Sequence, residues 1–332
     1  MKKILITTLL FISIASGQPE YSNISSQPGA FSRMGFGARG MGMGNVMSAV
    51  KSGNLISYYN PALSVFQNQN SFQVSYGILS LDRKLNFLNF TKRFSLQTKK
   101  TDTSDTKEDA LMAGISFGLI NAGVGDIIER DDQGNNLSTL STTENQFFFS
   151  VAKEFSKKIA FGLAVKFYHY NLYKDLKSSG LGFDLGGIYS FNENLTFSFV
   201  IKDLNSKYKW DTVPILNQLG SQTQVDFPIL KIIGVSYFYK KYNTLLAAEL
   251  ESSNAETTIF RFGAEHYLTD NFTMRLGLDN YNISNSDFPV QPSFGVSFTR
   301  EVNNFLLSVD YAYIIERYSP NDRHIVGISV LF

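Results

Sequence analysis

The 332-residue sequence contains no cysteine. This excludes a disulfide-stapled fold and a lipid-modified cysteine at an exported N-terminus. Charged residues make up 18% of the chain, against roughly 25% in an average soluble domain. Neither sign is in excess: 30 Lys and Arg face 29 Asp and Glu, which removes the electrostatic case for nucleic acid or a strongly acidic partner. Beyond the first residues no apolar stretch reaches the roughly 18 residues a membrane-spanning helix needs. Aromatic residues, by contrast, are abundant, with 29 Phe and 17 Tyr beside a single Trp. An aromatic-rich, charge-poor chain without spanning helices leaves two classes, a soluble β-sandwich or a membrane β-barrel.

The two ends of the chain separate these classes. Lys2 and Lys3 precede an apolar run from Ile4 to Ile14, and Ala15-Ser16-Gly17 supplies small residues at cleavage positions. Residues 1–17 are therefore expected to be a signal peptide, with the mature chain starting at Gln18. At the other end Gly327, Ile328, Val330 and Phe332 form an alternating strand that closes on an aromatic residue. This resembles the terminal assembly signal of outer-membrane barrels, although Val326 stands where a polar residue is more usual.

Between the ends, about fourteen segments alternate apolar and polar residues over the length a tilted membrane strand requires. They fall at 71–79, 84–95, 110–120, 145–155, 159–171, 180–191 and 195–204, then at 227–239, 243–251, 257–267, 271–281, 291–300, 304–315 and 324–332. Connections such as 156–158, 192–194, 240–242, 268–270 and 301–303 are short, and the intervening ones are mostly longer, notably 121–144 and 205–226. Short-long alternation fits periplasmic turns at one end and outer loops at the other. The connection at 96–109 is long where a short turn is expected.

One face of these strands carries the large apolar residues. The other carries Lys166, Lys202, Arg261 and Arg275 beside Asp184, Glu249, Glu265 and Asp310. A lysine or arginine facing lipid near the midplane costs roughly 2–4 kcal/mol, so these charges are expected in the lumen, where they can pair. Small residues on the same face, among them Gly114, Gly162, Gly186, Gly263 and Gly295, leave room for an occupant.

The occupant is expected to be the segment 31–63, which carries six glycines and two arginines. Its marked positions are Arg33, Gly35, Gly37, Arg39, Gly40, Gly42, Gly44 and Asn45, followed by Tyr59, Asn60, Pro61 and Ala62. Glycine at this density allows sharp turns and close approach to another wall. Proline presets one backbone angle and biases Asn60 away from helix, so Asn60-Pro61 can define the exit from the plug into the first strand. Arg33 and Arg39 are expected to meet lumen carboxylates, with an anionic ligand head as the other reading.

Arg39-Gly40-x-Gly42-x-Gly44-Asn45 followed by Tyr58-Tyr59-Asn60-Pro61-Ala62 resembles the N-terminal hatch of the FadL superfamily of long-chain fatty-acid transporters. Ser32-Arg33-Met34-Gly35 through Ala62, with strand blocks such as Gly182-Phe183-Asp184-Leu185-Gly186, is similar to the PorV/PorQ family associated with type IX secretion. The resemblance implies an all-β fold: a transmembrane antiparallel barrel of about fourteen strands, in the outer membrane of a Gram-negative-type bacterium. It implies a hatch over residues 18–66, a barrel over 67–332, and a periplasm-facing N-terminus. Implied partners are outer-membrane lipid, the barrel assembly machinery, and either secretion components with exported cargo proteins or a hydrophobic small molecule. No cofactor is implied.

Several other patterns carry less. Gly35-x-Gly37-x-x-Gly40 spells a dinucleotide fingerprint but lacks the βαβ setting the motif requires. Gly114-x-Ser116-x-Gly118 spells a nucleophile elbow yet lies inside an alternating strand, and His169, His266 and His324 fall near strand ends. The acidic loop 126–135 lacks the regular ligand spacing of a calcium loop. No enzymatic activity and no metal site are expected. Two functions remain: a secretion-associated adaptor in a sealed barrel, which the motif wording favours, and a FadL-like channel for small hydrophobic molecules. The channel needs an apolar pocket beside the hatch, which Met34, Met41, Met43 and Met47 could line.

Overall fold

The computed structural model describes residues 22–96, 111–174, 176–216 and 219–332. The expected leader at 1–17 and most of the connection expected at 96–109 lie outside them. Fourteen strands close into a single antiparallel barrel. In chain order they begin with β1 (Ser71–Ile78), β2 (Arg83–Leu96), β3 (Leu111–Arg130), β4 (Asn136–Ser156), β5 (Ile159–Tyr173), β6 (Leu176–Ser190) and β7 (Leu195–Leu204). A separate two-stranded sheet, β8 (Lys207–Asp211) with β9 (Gln222–Asp226), interrupts the sequence. The barrel resumes with β10 (Leu230–Tyr239), β11 (Thr244–Ser253), β12 (Thr258–Tyr267), β13 (Phe272–Asn282), β14 (Gln291–Val302), β15 (Phe305–Ile314) and β16 (Arg323–Leu331). β16 pairs with β1 from Ser71↔Leu331 to Ile78↔His324, so no sheet edge remains open.

The polarity of the two faces decides between sandwich and membrane barrel. On β1, Phe72, Val74, Tyr76 and Ile78 are exposed outside while Ser71, Gln73 and Ser75 are buried inside. The same inversion runs around the wall, with Phe147, Phe149, Phe161, Phe167, Phe199, Phe294 and Phe298 all exposed. In water that outer surface would cost about 25 cal/mol per Å²; against lipid it costs nothing. At the end marked by tight turns and the C-terminus, aromatic pairs ring the wall. Examples are Phe155 with Phe161, Phe272 with Phe298, and Phe305 with Phe332, at centroid distances of 5.6, 5.0 and 6.1 Å. Such a girdle marks the inner membrane–water interface of an outer-membrane barrel.

Two expectations are corrected at the outer end. Residues 121–144 are not a loop: β3 and β4 continue as one hairpin that turns only at 131–135. That extension has water on both sides, so it carries no apolar-polar alternation to announce it. Residues 205–226 likewise contain the β8–β9 hairpin. Several outer connections, such as 79–82 and 254–257, are as short as the inner ones.

The course of the N-terminal segment has a direction. The N-terminus that the resemblance implied to face the periplasm lies outside the described residues, and the described chain begins at the outer mouth. There Ile24 is buried against Leu230 and Ala255, with Phe288 packed alongside, and Asn23 Nδ2 donates to Glu256 at 2.6 Å. From this point the chain descends through the lumen and enters β1 at the inner end.

Candidate functional site: the occupied lumen

The segment from residue 22 to residue 70 fills the barrel from mouth to base. Its only α-helix is α1 (Gly37–Gly42), and the rest is turns and 3-10 pieces. With so little regular structure, the wall must satisfy its backbone and side chains. One side of the segment is apolar. Phe36 is fully buried among Phe87, Phe148 and Tyr58 at 4.9, 5.8 and 5.5 Å. Met41, Met43 and Met47 are buried in the same core as Leu85, Ile120 and Ile325, so these methionines serve as packing.

The wall is shaped to the segment's backbone. A Cβ added to Gly162 would collide with the Pro61 carbonyl carbon, one on Gly114 with the carbonyl of Ser64, and one on Gly263 with the Met43 carbonyl oxygen. From the other side, Gly44 adopts φ +63°, and a Cβ there would stand 2.7 Å from the Leu278 nitrogen. Both conformation and proximity require glycine at that position.

The exit is built around Asn60. Its Oδ1 accepts from Ala62 N–H at 2.9 Å, capping the 3-10 turn Pro61–Phe66 with proline in its first turn. Its Nδ2 donates to Ser48 O at 2.9 Å and to Gly187 O on β6 at 3.2 Å. Tyr59 reaches back to the start of α1, its hydroxyl accepting from Phe36 N–H at 2.8 Å and lying 2.9 Å from Asn45 Oδ1. Asn45 in turn donates to Asp279 at 2.7 Å.

The polar side of the segment meets the charges of the wall. Arg39 grips Glu265 with Nε at 2.9 Å and Nη2 at 2.8 Å, while its Nη1 donates to the carbonyls of Ser52 and Asn54. Glu265 also receives Arg275 at 2.6 Å, and Arg275 reaches Asp310 at 3.4 Å. Lys166 lies 2.8 Å from Asp184 and 3.0 Å from Asp203. Arg261 holds Glu251 at 2.9 Å and also pairs with Asp279. Glu249 accepts from Ser48 N–H at 2.6 Å. Lys202 has no ion pair among the described residues and rests over the Tyr58 ring, 4.1 Å from its centroid, a cation–π contact.

Arg33 departs from expectation. It meets no carboxylate and instead donates to the carbonyls of Pro28, Gln27 and Ile24, at 2.6, 3.2 and 3.4 Å, tying the entry of the segment into a loop. Three lumen acids, Asp203, Glu251 and Asp279, were not among the expected set. Two of them stand at bulges. β7 carries Lys202 and Asp203 opposite the single Asp184, with Asp203 at φ +64°. β13 carries Asp279 and Asn280 opposite Arg261, with Asn280 at φ +60°. At Asp203 the bulge shifts the two-residue period, so an acid that strict alternation sends outward turns inward; Asp279 stays in step with Arg275, and its bulge shifts only the residues after it.

Cavities lie beside the segment, among them one at the outer mouth of about 200 Å³ between Asn23, Gln27, Phe227 and Glu256. Another of about 30 Å³ is lined by Arg33, Lys202, Asp203, Glu249 and Arg261 on its charged side and by Tyr58, Leu230 and Ile232 on its apolar side. A third, of about 190 Å³ at the outer mouth, is bounded by Ile24, Met34, Ile259 and Phe288 on its apolar side and by Arg33, Arg261 and Arg323 on its charged side. Elsewhere Ser116 is a buried wall residue bonded to Thr91 and Asn89, with no base beside it. In the outer turn Asp131 is engaged by Gln133 and Asn135. No cluster able to hold a metal ion occurs among the described residues.

A closed antiparallel barrel, apolar outside, charged inside and filled by its own N-terminal segment, defines an outer-membrane β-barrel of the plugged type. Its fold is that of FadL-type barrels. The toluene transporter TodX of Pseudomonas putida matches with a TM-score of 0.56 at 12% identity, over 89% of this chain and 96% of that one. The toluene transporter TbuX of Ralstonia pickettii gives 0.57 at 12% identity, over 89% and 97%. A FadL homologue of Pseudomonas aeruginosa gives 0.56 at 11% identity, over 90% and 98%. No family model matches the sequence, and no curated protein does.

Proposed function

We propose that the protein is an outer-membrane channel for small hydrophobic molecules, with residues 18–66 as its gate. The observation that carries this reading is the 190 Å³ cavity where the N-terminal segment meets β11–β14 at the outer mouth. An apolar cavity of about 150 Å³ is enough to hold benzene, and here Ile24, Met34, Ile259 and Phe288 supply the apolar wall. The fold shared with two toluene transporters supports the same reading. Passage then requires the segment to yield, since the cavity below it is only about 30 Å³. The test is uptake of radiolabelled toluene and of a medium-chain fatty acid by cells producing the protein, compared with Phe288→Asp. Uptake no faster than in cells without the protein would sink the proposal.

A second reading is the secretion-associated adaptor of PorV/PorQ type. The sealed, ion-paired lumen favours it, as does the β3–β4 hairpin standing clear of the barrel rim. It is tested by crosslinking from the tip at residues 131–135 and identifying exported proteins among the products. A channel yields none.

A further inference from the structure

The outward face of β2–β6 changes character within one register step. Phe90, Phe117, Phe149, Val165 and Phe183 form one cross-strand row, and Leu88, Leu119, Phe147, Phe167 and Leu181 form the next. Both rows are wholly apolar. The row above them is Asn86, Asn121, Asn145, His169 and Ser179, and the one above that is Lys84, Gly123, Thr143, Asn171 and Lys177. Side chains in the asparagine row are joined sideways: Asn86 Nδ2 donates to Asn121 Oδ1 at 2.9 Å, and Asn121 Nδ2 to Asn145 Oδ1 at 2.7 Å. His169 Nδ1 lies 3.1 Å from Ser179 Oγ. These bonds hold the amides flat against the wall and leave further donor and acceptor capacity facing out. Lys84 and Lys177 are exposed and in no ion pair among the described residues. Neither row contains a carboxylate.

We propose that this strip recognises the headgroup of a phosphorylated glycolipid in the outer leaflet. The sugar hydroxyls and amides would lie along the asparagine row, and the phosphates would meet Lys84 and Lys177. The position selects a lipid, because the strip begins where the lipid-facing apolar rows end. The span selects the headgroup. Four inter-strand spacings separate β2 from β6, roughly 19 Å at about 4.8 Å each, which one phosphate cannot bridge and a saccharide carrying two can. Lysine meets phosphate as a charge on a flexible stem, and basic residues at the membrane edge recognise anionic headgroups in this way.

The test uses the full-length protein folded in neutral detergent. It is titrated with bis-phosphorylated lipopolysaccharide of minimal sugar length, with the same glycolipid dephosphorylated, and with phosphatidylglycerol. The wild type is expected to bind the bis-phosphorylated form about tenfold more tightly than either control. Lys84→Gln/Lys177→Gln should remove that preference, and Asn121→Leu should weaken binding of both glycolipids. Equal binding of phosphatidylglycerol overturns the glycolipid assignment, and an unchanged preference in a heat-modifiable double variant overturns the role of the lysines. The wild-type comparison alone decides the matter if the variants do not fold.

Discussion

Arg39 of the N-terminal segment and Glu265 of β12, 226 positions apart in the chain, form a two-pronged ion pair in the middle of the barrel. Both side chains are almost fully shielded, at 6% and 1% exposure. The pair therefore reports whether the segment is seated. Arg39→Ala leaves Glu265 with Arg275 and the Tyr267 hydroxyl and removes its two-pronged partner. Breaking such a buried pair costs about 3–5 kcal/mol, so the temperature at which the barrel loses its heat-modifiable gel migration should fall clearly. An unchanged transition would show that the pair does not hold the segment.

Gly162 and Gly114 present bare backbone to Pro61 and Ser64. A valine at either site has no room while the segment is in place, whereas the strand itself accepts valine readily. Gly162→Val should insert in the membrane normally yet pass ions across planar bilayers. A silent, folded variant would mean the segment can shift aside without opening the lumen.

Deleting residues 31–57 removes Arg39, α1 and most of the apolar core while leaving the Asn60-Pro61 exit. The expected product is an inserted barrel that conducts ions steadily, against an intact protein that is nearly silent. Equal conductance of the two forms would remove the case for a plug.

The C-terminal seam offers a test of assembly. Phe332 and Asn70 exchange two backbone hydrogen bonds of 2.9 Å each, and β16 pairs with both β1 and β15. Removing Val330 to Phe332 opens an edge that lipid cannot satisfy. The truncated chain should fail to reach the outer membrane, as judged by fractionation and gel migration, while the full chain does so.

Asp131 closes the tip of the β3–β4 hairpin, accepting from Asn135 Nδ2 at 2.9 Å, Asn135 N–H at 2.8 Å and Gln133 N–H at 2.9 Å. These bonds, the Asn135 side chain foremost, hold its carboxyl below the ordinary aspartate range. A depressed pKa means the turn is fully supported above the unfolded value and loses that support as pH falls through the folded one. Proteolytic nicking at 131–135 should therefore rise only in strong acid for the wild type, and at neutral pH for Asp131→Ala. Equal nicking of both at neutral pH would contradict this.

Much of the wall was legible because lipid and lumen impose a two-residue period. All fourteen barrel strands lie where alternation places them, and Phe305, Val309 and Tyr311 point outward together. The parts that escaped are those where the period carries no information. Residues 136–141 stand almost wholly in water. At Asp203 a bulge reverses the phase, so a carboxylate that pairs with Lys166 inside is assigned by alternation to the wrong face. The course of residues 22–70 depends on tertiary fit, since short turns and isolated glycines do not encode a direction through the lumen. Arg33 shows the same limit: its partners are carbonyls of its own loop, and sequence does not reveal which carbonyls a turn will gather.

The descent of the segment from the outer mouth to the base of β1 bears on how the molecule can be made. Were β1 to join β16 around an empty space, Glu249 and Glu265 would face it without their partners from the segment. The chain would then have to be drawn upward past the same side chains that later clasp it. Closing that seam last avoids both problems, with residues 22–70 already lying in the curved sheet and β2–β4 wrapped against Phe36. On this view the interior acts as a mandrel: the wall is wound onto it, and its girth is set by what it encloses.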